Sequence, residues 1–369
     1  MKNKKILFLT SGRGDYFLLD PLVDQLKKLR KNKIYFASIG DNHFIKNNKN
    51  LINKIDFNLE KSENIVTPIK LILNLSSIYF NFFRLIKKVK PNSVCLLGDR
   101  SEILMPSIIC FFLKIPIIHF YGGEISEGAT DDYIRKIVSI VSSYHLTAHK
   151  QSKNNLLKLG VSNGKIEVIG SLGIENFLKL KLIQKNKIEK KLKIDFEKKN
   201  ILVTYHPVTN SEDYGFNEFR NLISFLKKQK KTNIFFTYPN KDIYAYQIRK
   251  TIKDLKNRKN FYIFESLGIL DYFSLAKQMD VVMGNSSSGI IEIPSLKIPV
   301  INIGDRQKNR YCSKSVIHCT GSLDNLNKSL KKSYSKSFLS SIKKYKNPYQ
   351  SENVHKKIIN ILKKNKLIN

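Results

Sequence analysis

In the stretch VVMGNSSSGIIEIPSLKIPVINIGDRQKNR, Val281 to Arg310, two apolar runs flank Gly284, Asn285, three serines and Gly289. Glu292, Arg306 and Arg310 follow. The segment from Gly284 to Gly289 predicts a tight turn feeding a helix that starts near Ser287. Backbone N–H groups there, with the hydroxyls of Ser286 and Ser287, can bind phosphate, helped by the helix dipole. Glu292 lies one to two turns further on and can accept a ribose hydroxyl. Arg306 and Arg310 follow the next apolar run and can neutralise phosphate charge. Plain N-capping by Ser286 or Ser287 is the simpler reading, but capping needs one serine. Three serines with a carboxylate and two guanidinium groups favour a nucleotide phosphate.

Four further clusters carry ionisable groups. TSGRGDY presents Arg13 and Asp15 on a glycine turn at a helix start. It lacks the third glycine of a dinucleotide fingerprint, so it does not point to NAD. LLGDRSE places Asp99 and Arg100 after an apolar run, either as a structural ion pair or as working groups. HFYGGEISEGATDDYIRK is the densest stretch, with His119, Glu124, Glu127, Asp131, Asp132 and Arg135. Asp131 and Arg135 are four apart and share one face of a helix. Helix capping with an ion pair explains that pair, but not a carboxylate-rich loop. TYHPVT puts His206 directly after an apolar run, where an imidazole suits proton transfer near neutral pH.

These clusters need elements that hold them at one edge. Short β-rich runs recur at 5–10, 33–40, 93–99, 115–123, 144–148 and 165–170, with helical spacing between them, as in YFLLDPLVDQLKKLRK and TPIKLILNLSSIYFNFFRLIKKV. Strand alternating with helix predicts a parallel sheet covered on both faces. The pattern pauses in the lysine-rich segment 178–200. It resumes with runs at 200–207, 232–239, 260–266, 279–285 and 298–304. The expected fold is α/β, two Rossmann-like lobes with a central cleft and a C-terminal helix packing back across the junction. The expected divisions are 1–180, 181–345 for the nucleotide-binding lobe, and 346–369 for the closing helix. Polar clusters that follow the strands sit where open α/β sheets bind ligands.

Composition bounds the rest. A chain of 369 residues with 42% apolar and 11% aromatic content is a folded protein of about two domains. The net charge of +35 comes mostly from lysine, about 55 of the 65 basic residues. The lysines are scattered along the chain as KK and KKK, the pattern of a solvated surface, whereas bidentate phosphate recognition favours arginine. The apolar stretch ILMPSIICFFLKIPIIHF is broken by Pro106, Lys114 and Pro116. It is too short to span a membrane and reads as a buried helix followed by a buried strand. The four cysteines read as thiols of a reducing compartment, the cytoplasm. Cys312, His318 and Cys319 lack a second ligand cluster, so no metal is expected.

Taken in order, GRGDY, GDRSE, GGEISEGATDDYIR, HPVT and GNSSSGIIE…PVINIGDRQKNR resemble the hydrolysing UDP-N-acetylglucosamine 2-epimerases of sialic-acid and related nonulosonate synthesis. The resemblance covers nearly the whole chain and implies the two-lobed GT-B architecture. It also implies proton removal at sugar C2 with loss of UDP from C1, then water addition to the glycal, without cofactor. By resemblance Asp99 and Asp131 match catalytic acidic positions, Arg135 accompanies the second, and His206 acts on the pyrophosphate or as an acid. Arg13, Ser286, Ser287, Glu292 and Arg306 match nucleotide-binding positions, and Glu124 joins the catalytic set, with Arg310 beside the nucleotide. Two positions depart from many relatives: Tyr121 stands for an acidic residue before the Gly-Gly pair, and Leu18 for a lysine after the RGDY-like turn. Relatives in legionaminic-acid synthesis use a nucleotide-linked 2,4-diacetamido-trideoxy sugar, which these loops can also accept, and a glycosyltransferase on the same two-lobed scaffold is the further alternative. The expected partners are a nucleotide-sugar substrate and further copies of the chain as a dimer or tetramer. Neither nucleic acid nor stable membrane insertion is expected.

Overall fold

The structure is a computed structural model that describes residues 3–39, 55–59, 68–239 and 244–369. The chain forms two compact units, one comprising Met1–Glu124, Asp131–Asn176 and Ser351–Asn369, the other Ile125–Thr130 and Phe177–Gln350.

In the first unit the order is β1 (Lys5–Thr10), α1 (Arg13–Lys28), β2 (Lys33–Ser38), β3 (Phe57–Asn58), α2 (Pro68–Val89), β4 (Ser93–Leu97) and α3 (Ser101–Phe112). Then follow β5 (Ile117–Phe120), α4 (Asp131–Val141), β6 (Tyr144–Thr147), α5 (Lys150–Lys158) and β7 (Ile166–Val168). Helix α6 (Leu172–Leu178) leads out of this unit. All strand pairs are parallel, in the order β3-β2-β1-β4-β5-β6-β7. The alternation of β1 sends Ile6 and Phe8 to one face, against Tyr16, Leu19 and Leu22 of α1. Leu7 and Leu9 go to the other face, against Phe82 and Leu85 of α2 and Ile103 of α3.

The second unit carries α7 (Lys185–Leu192), β8 (Lys199–Thr204), α8 (Phe216–Lys227), β9 (Thr232–Thr237), α9 (Ala245–Lys253), β10 (Phe261–Phe264) and α10 (Gly268–Ala276). It continues with β11 (Val281–Gly284), α11 (Ser287–Ile291), β12 (Val300–Ile303), β13 (Val316–Cys319), α12 (Leu323–Tyr334) and α13 (Lys336–Lys344). Its sheet is also parallel, in the order β10-β9-β8-β11-β12-β13. The last helix, α14 (Val354–Lys364), returns to the first unit and buries Val354, Ile358 and Leu362 in the core that holds α1.

Each sheet reverses its direction of growth once, between β1 and β4 and between β8 and β11. These are the switch points at which open α/β sheets leave a crevice at their carboxyl edge. Residues 11–15 follow β1 and Asp99 follows β4; His206 follows β8 and Asn285 follows β11.

The apolar stretch around Pro106 departs from expectation in one respect. Helix α3 buries Ile103, Pro106, Ile109 and Cys110, but Phe111, Phe112 and Leu113 are exposed. The helix is apolar on all sides, and the sheet covers only one of them. Among the described residues no helix is long and apolar enough to cross a membrane.

Candidate active site

At the first switch point Gly98 ends β4 with a left-handed φ of 79° and releases Asp99 and Arg100 beyond the strand. Arg100 pairs with Glu102 at 2.9 Å and lies against Gly12 of the β1 turn. Asp15, in the first turn of α1, accepts a hydrogen bond from Ser11. Burial pushes the Asp15 carboxyl up to about 6; Arg100 and Ser11 pull it down, and Asp99 and Glu102 push it up. Asp15 therefore takes or gives a proton near neutral pH.

Arg135 is a buried cation on the inner face of α4. It pairs with Asp99 and, at 3.2 Å, with Asp132, and donates to the backbone carbonyl of Glu124 at 2.8 Å. Asp132 also holds Lys136, at 2.7 Å. A buried guanidinium is tolerable only when paired in this way. Asp131 opens the same helix, where a carboxylate suits the N-terminal dipole. His119 of β5 bonds the Gly98 carbonyl through Nε2 at 2.7 Å, and its Nδ1 lies 3.2 Å from Ser139 Oγ. Burial lowers its pKa to about 4, so the ring is neutral and pins the turn that presents Asp99.

Glu124 points away from this cluster. Its carboxylate accepts from Ser152 Oγ at 2.8 Å and lies 3.0 Å from His149 Nε2, all three side chains being buried. His149 caps α5, with Nδ1 accepting from the Ser152 N–H at 3.3 Å. Tyr121 holds a φ of 65°, and its hydroxyl accepts the Leu172 N–H at 2.7 Å. Leu18 packs against the first unit's core. Arg13 begins α1, and its side chain lies outside the described residues.

At the second switch point Gly284 has a φ of 129° and pairs in register with Thr204. A Cβ on Gly284 would collide with the Thr204 carbonyl oxygen. That close approach lets buried Asn285 bond the backbone of His206 twice, receiving its N–H at 2.7 Å and donating to its carbonyl at 2.8 Å. The Asn285 carbonyl receives Arg306 Nη1 and Gln307 Nε2, both at 3.1 Å, and Arg310 Nη1 donates to Gln307 Oε1 at 2.9 Å. Asn285 thus ties His206 through its side-chain amide, Arg306 through its backbone carbonyl and, by way of Gln307, Arg310 into a single frame. His206 Nδ1 is buried and has no hydrogen-bond partner among the described residues. Burial, and then the Arg306 charge, lower the His206 pKa well below the usual imidazole range.

Ser286 precedes α11 without using its hydroxyl as a cap. Ser288 accepts from Tyr272 at 3.3 Å. Burial pushes the Glu292 carboxyl up to about 7, against Arg310 and Ser288, which pull it down. The segment Ile125–Thr130 belongs to this unit. Gly128 lies so tightly on Asp305 and Arg306 that a Cβ would strike their backbone. Asn210 donates to the Glu127 carbonyl at 2.7 Å, and the Thr130 N–H donates to Thr209 at 3.1 Å.

The family model described as UDP-N-acetylglucosamine 2-epimerase matches residues 40–363. The chain belongs to the UDP-N-acetylglucosamine 2-epimerase family. Among curated relatives it is 32% identical to the polysialic acid biosynthesis protein P7 of Escherichia coli, over 98% of this chain and 94% of that one. It is 31% identical to a GDP/UDP-N,N'-diacetylbacillosamine 2-epimerase (hydrolyzing) of Campylobacter jejuni, over 92% of this chain and 89% of that one. The fold is shared with the UDP-GlcNAc 2-epimerase of Neisseria meningitidis solved with UDP-GlcNAc, at a TM-score of 0.83 and 22% identity, covering 98% and 100% of the two chains.

In this epimerase-family chain the structure brings Asp99 and Arg135 into contact and places Asp131 at the head of the same helix. It gathers His206, Arg306 and Arg310 around Asn285, with Ser286 next in sequence. Sequence reasoning named Asp15 and His119 within ionisable clusters without giving them a role, and it did not single out Glu102, Asn285, Gln307 or Tyr272. Asp15 stood within a noted turn, and Asn285 within the serine stretch. Tyr272 had no local signal.

Proposed function

We propose that this family member is a hydrolysing 2-epimerase that converts UDP-N-acetylglucosamine and water to N-acetylmannosamine and UDP, for synthesis of nonulosonates of the sialic-acid type. The observation that carries the reading is the buried Arg135 gripping Asp99 at the β1/β4 switch point. A carboxylate base needs that fixed direction to reach one C–H bond. The C2–H bond breaks and its proton passes to a carboxylate, for which Asp99 and Asp131 are the candidates. The C1–O bond breaks, and its electron pair leaves with UDP. Water then adds across the resulting C1=C2 bond, hydroxyl to C1 and proton to C2 on the opposite face. This balance requires no metal or redox cofactor.

Ser286, Ser287 and Arg306 hold the pyrophosphate, and Glu292 receives ribose hydroxyls; the side chain of Arg13, also expected at the nucleotide, lies outside the described residues. Arg310 steadies the frame through Gln307. Neutral His206 donates to the oxygen that gains charge as UDP departs. Glu124 is assigned a positioning role: its carboxylate is taken up by Ser152 and His149, while its carbonyl holds Arg135. The four free cysteines, three of them buried, suit the cytoplasm.

A second substrate reading, a UDP- or GDP-linked 2,4-diacetamido-trideoxy sugar, is supported by the name of the Campylobacter jejuni relative, a GDP/UDP-N,N'-diacetylbacillosamine 2-epimerase. Incubation with each sugar nucleotide in deuterated water tests both. The expected result is stoichiometric release of nucleotide and a free 2-epimerised sugar carrying one deuterium at C2, with kcat lowered roughly 10²- to 10⁴-fold in Asp99→Asn. Interconversion of two nucleotide sugars without net nucleotide release would make the enzyme non-hydrolysing. No reaction with any of these sugars would overturn the reading.

A further inference from the structure

The turn through Gly123 and Glu124 closes the first stretch of the first unit, and helix α5 grips it from the side. Asn155 Nδ2 donates to the Gly123 carbonyl at 2.8 Å. Gly123 has a φ of 78°, and a Cβ there would strike the Ser152 carbonyl. Ser152 Oγ donates to Glu124 Oε1 at 2.8 Å, and His149 Nε2 lies 3.0 Å from each of these two oxygens. His149, Ser152 and Glu124 are all buried.

Nδ1 of His149 accepts the Ser152 N–H, so the proton of the neutral ring sits on Nε2 and faces Glu124 and Ser152. Two donors therefore converge on one carboxylate oxygen. Capping a helix needs only a short oxygen side chain. An imidazole that caps with one nitrogen and reaches a buried carboxylate with the other also fixes the turn that bears the carboxylate. Buried polar networks of this kind specify one geometry.

The same turn carries the Glu124 carbonyl, which receives Arg135 Nη1 at 2.8 Å, while Nη2 of that guanidinium grips Asp99. Asp132 competes for Nη1 at 3.2 Å. A displaced carbonyl would release the guanidinium toward Asp132 and turn the Asp99 carboxylate with it. The geometry points to His149 and Ser152 as positioning residues for the reaction. From the cap of α5 they fix the Gly123–Glu124 turn, and through its carbonyl and Arg135 they aim Asp99. This role rests on the reaction proposed above, with Asp99 as base.

His149→Asn separates the two duties of the ring, because Asn caps a helix well but is too short to reach Glu124. On whichever sugar nucleotide the wild type turns over, kcat is expected to fall roughly 10- to 100-fold with KM within about twofold. Ser152→Ala is expected to act in the same direction. The affinity of both variants for UDP, measured by titration calorimetry, should match wild type, since the frame around Asn285 and His206 is untouched. Asn154→Ala, at an exposed position on the same helix, should leave kcat unchanged. In an Asp99→Asn background His149→Asn is expected to lower kcat by less than about twofold more, because no base is left to aim. Wild-type kcat in both α5 variants would overturn the role and leave the reaction standing. So would a fall of equal size in the Asp99→Asn background, or a parallel loss of UDP affinity and melting temperature, which would make the cluster a support of the fold alone. A wild type that releases nucleotide from none of the sugars would remove the reaction and this role together.

Discussion

At the scale of single residues the first switch point is governed by how little charge a crowded site tolerates. Asp99 and Glu102 crowd Asp15 with negative charge, Arg100 offsets part of it, and burial raises the Asp15 carboxyl to about 6 from its ordinary 3.8. Its folded pKa therefore exceeds its unfolded one, and the native state binds the extra proton between roughly pH 4 and 6. Stability contributed by that proton is present below pH 4 and is lost as pH rises through 6. Asp15→Asn keeps the shape of the protonated acid without its charge. It is expected to melt close to wild type at pH 4 and to be more stable by about 1–2 kcal/mol at pH 8, allowing for partial exposure. Thermal melts at the two pH values check this; equal gaps would mean that Asp15 is not the strained carboxylate.

At the scale of elements the site depends on how closely β8 and β11 approach. Gly284→Ala drives a methyl group into the Thr204 carbonyl and removes the residue suited to a φ of 129°. The expected cost is about 2–4 kcal/mol, measured by denaturant unfolding. Any surviving protein should bind nucleotide weakly, because Asn285 can no longer reach the His206 backbone.

Much of this was legible in the sequence, since runs of β-rich residues marked nearly every strand and polar clusters marked their carboxyl ends. Two strands escaped. Phe57–Asn58 has only two residues, and Val316–Cys319 is a short edge strand whose His318 faces out. Partnerships were the illegible part. Asp15 meets Arg100 because β1 lies beside β4, and Asn285 meets His206 because β8 lies beside β11. Periodicity reports strands, but not the order in which a parallel sheet assembles them. The outer face of α3 was misread for a related reason: its apolarity predicted burial all round, but the Phe111, Phe112 and Leu113 end stands exposed.

At the scale of the whole molecule, charge and the apolar face oppose each other. Two chains of +35 repel, and that repulsion is long-ranged at low salt, with a screening length of about 30 Å at ~0.01 M against about 8 Å at ~0.15 M. Any association of copies through apolar surface is therefore expected to tighten as salt rises, seen as a falling dissociation constant across a sedimentation series. Loosening with salt would place ion pairs at the contact instead.

The six residues Ile125–Thr130 have a consequence for how such a protein can be taken apart or recombined. They are counted in the second unit although the first unit precedes and follows them, and the last helix returns to the first unit after the second is complete. The polypeptide thus changes unit four times, after Glu124, Thr130, Asn176 and Gln350. No single cut yields two whole halves. A gene fragment ending at Asn176 would lack Val354, Ile358 and Leu362 from its core. Grafting a new specificity onto this scaffold must therefore proceed by exchanging loops, because neither half exists as a cassette.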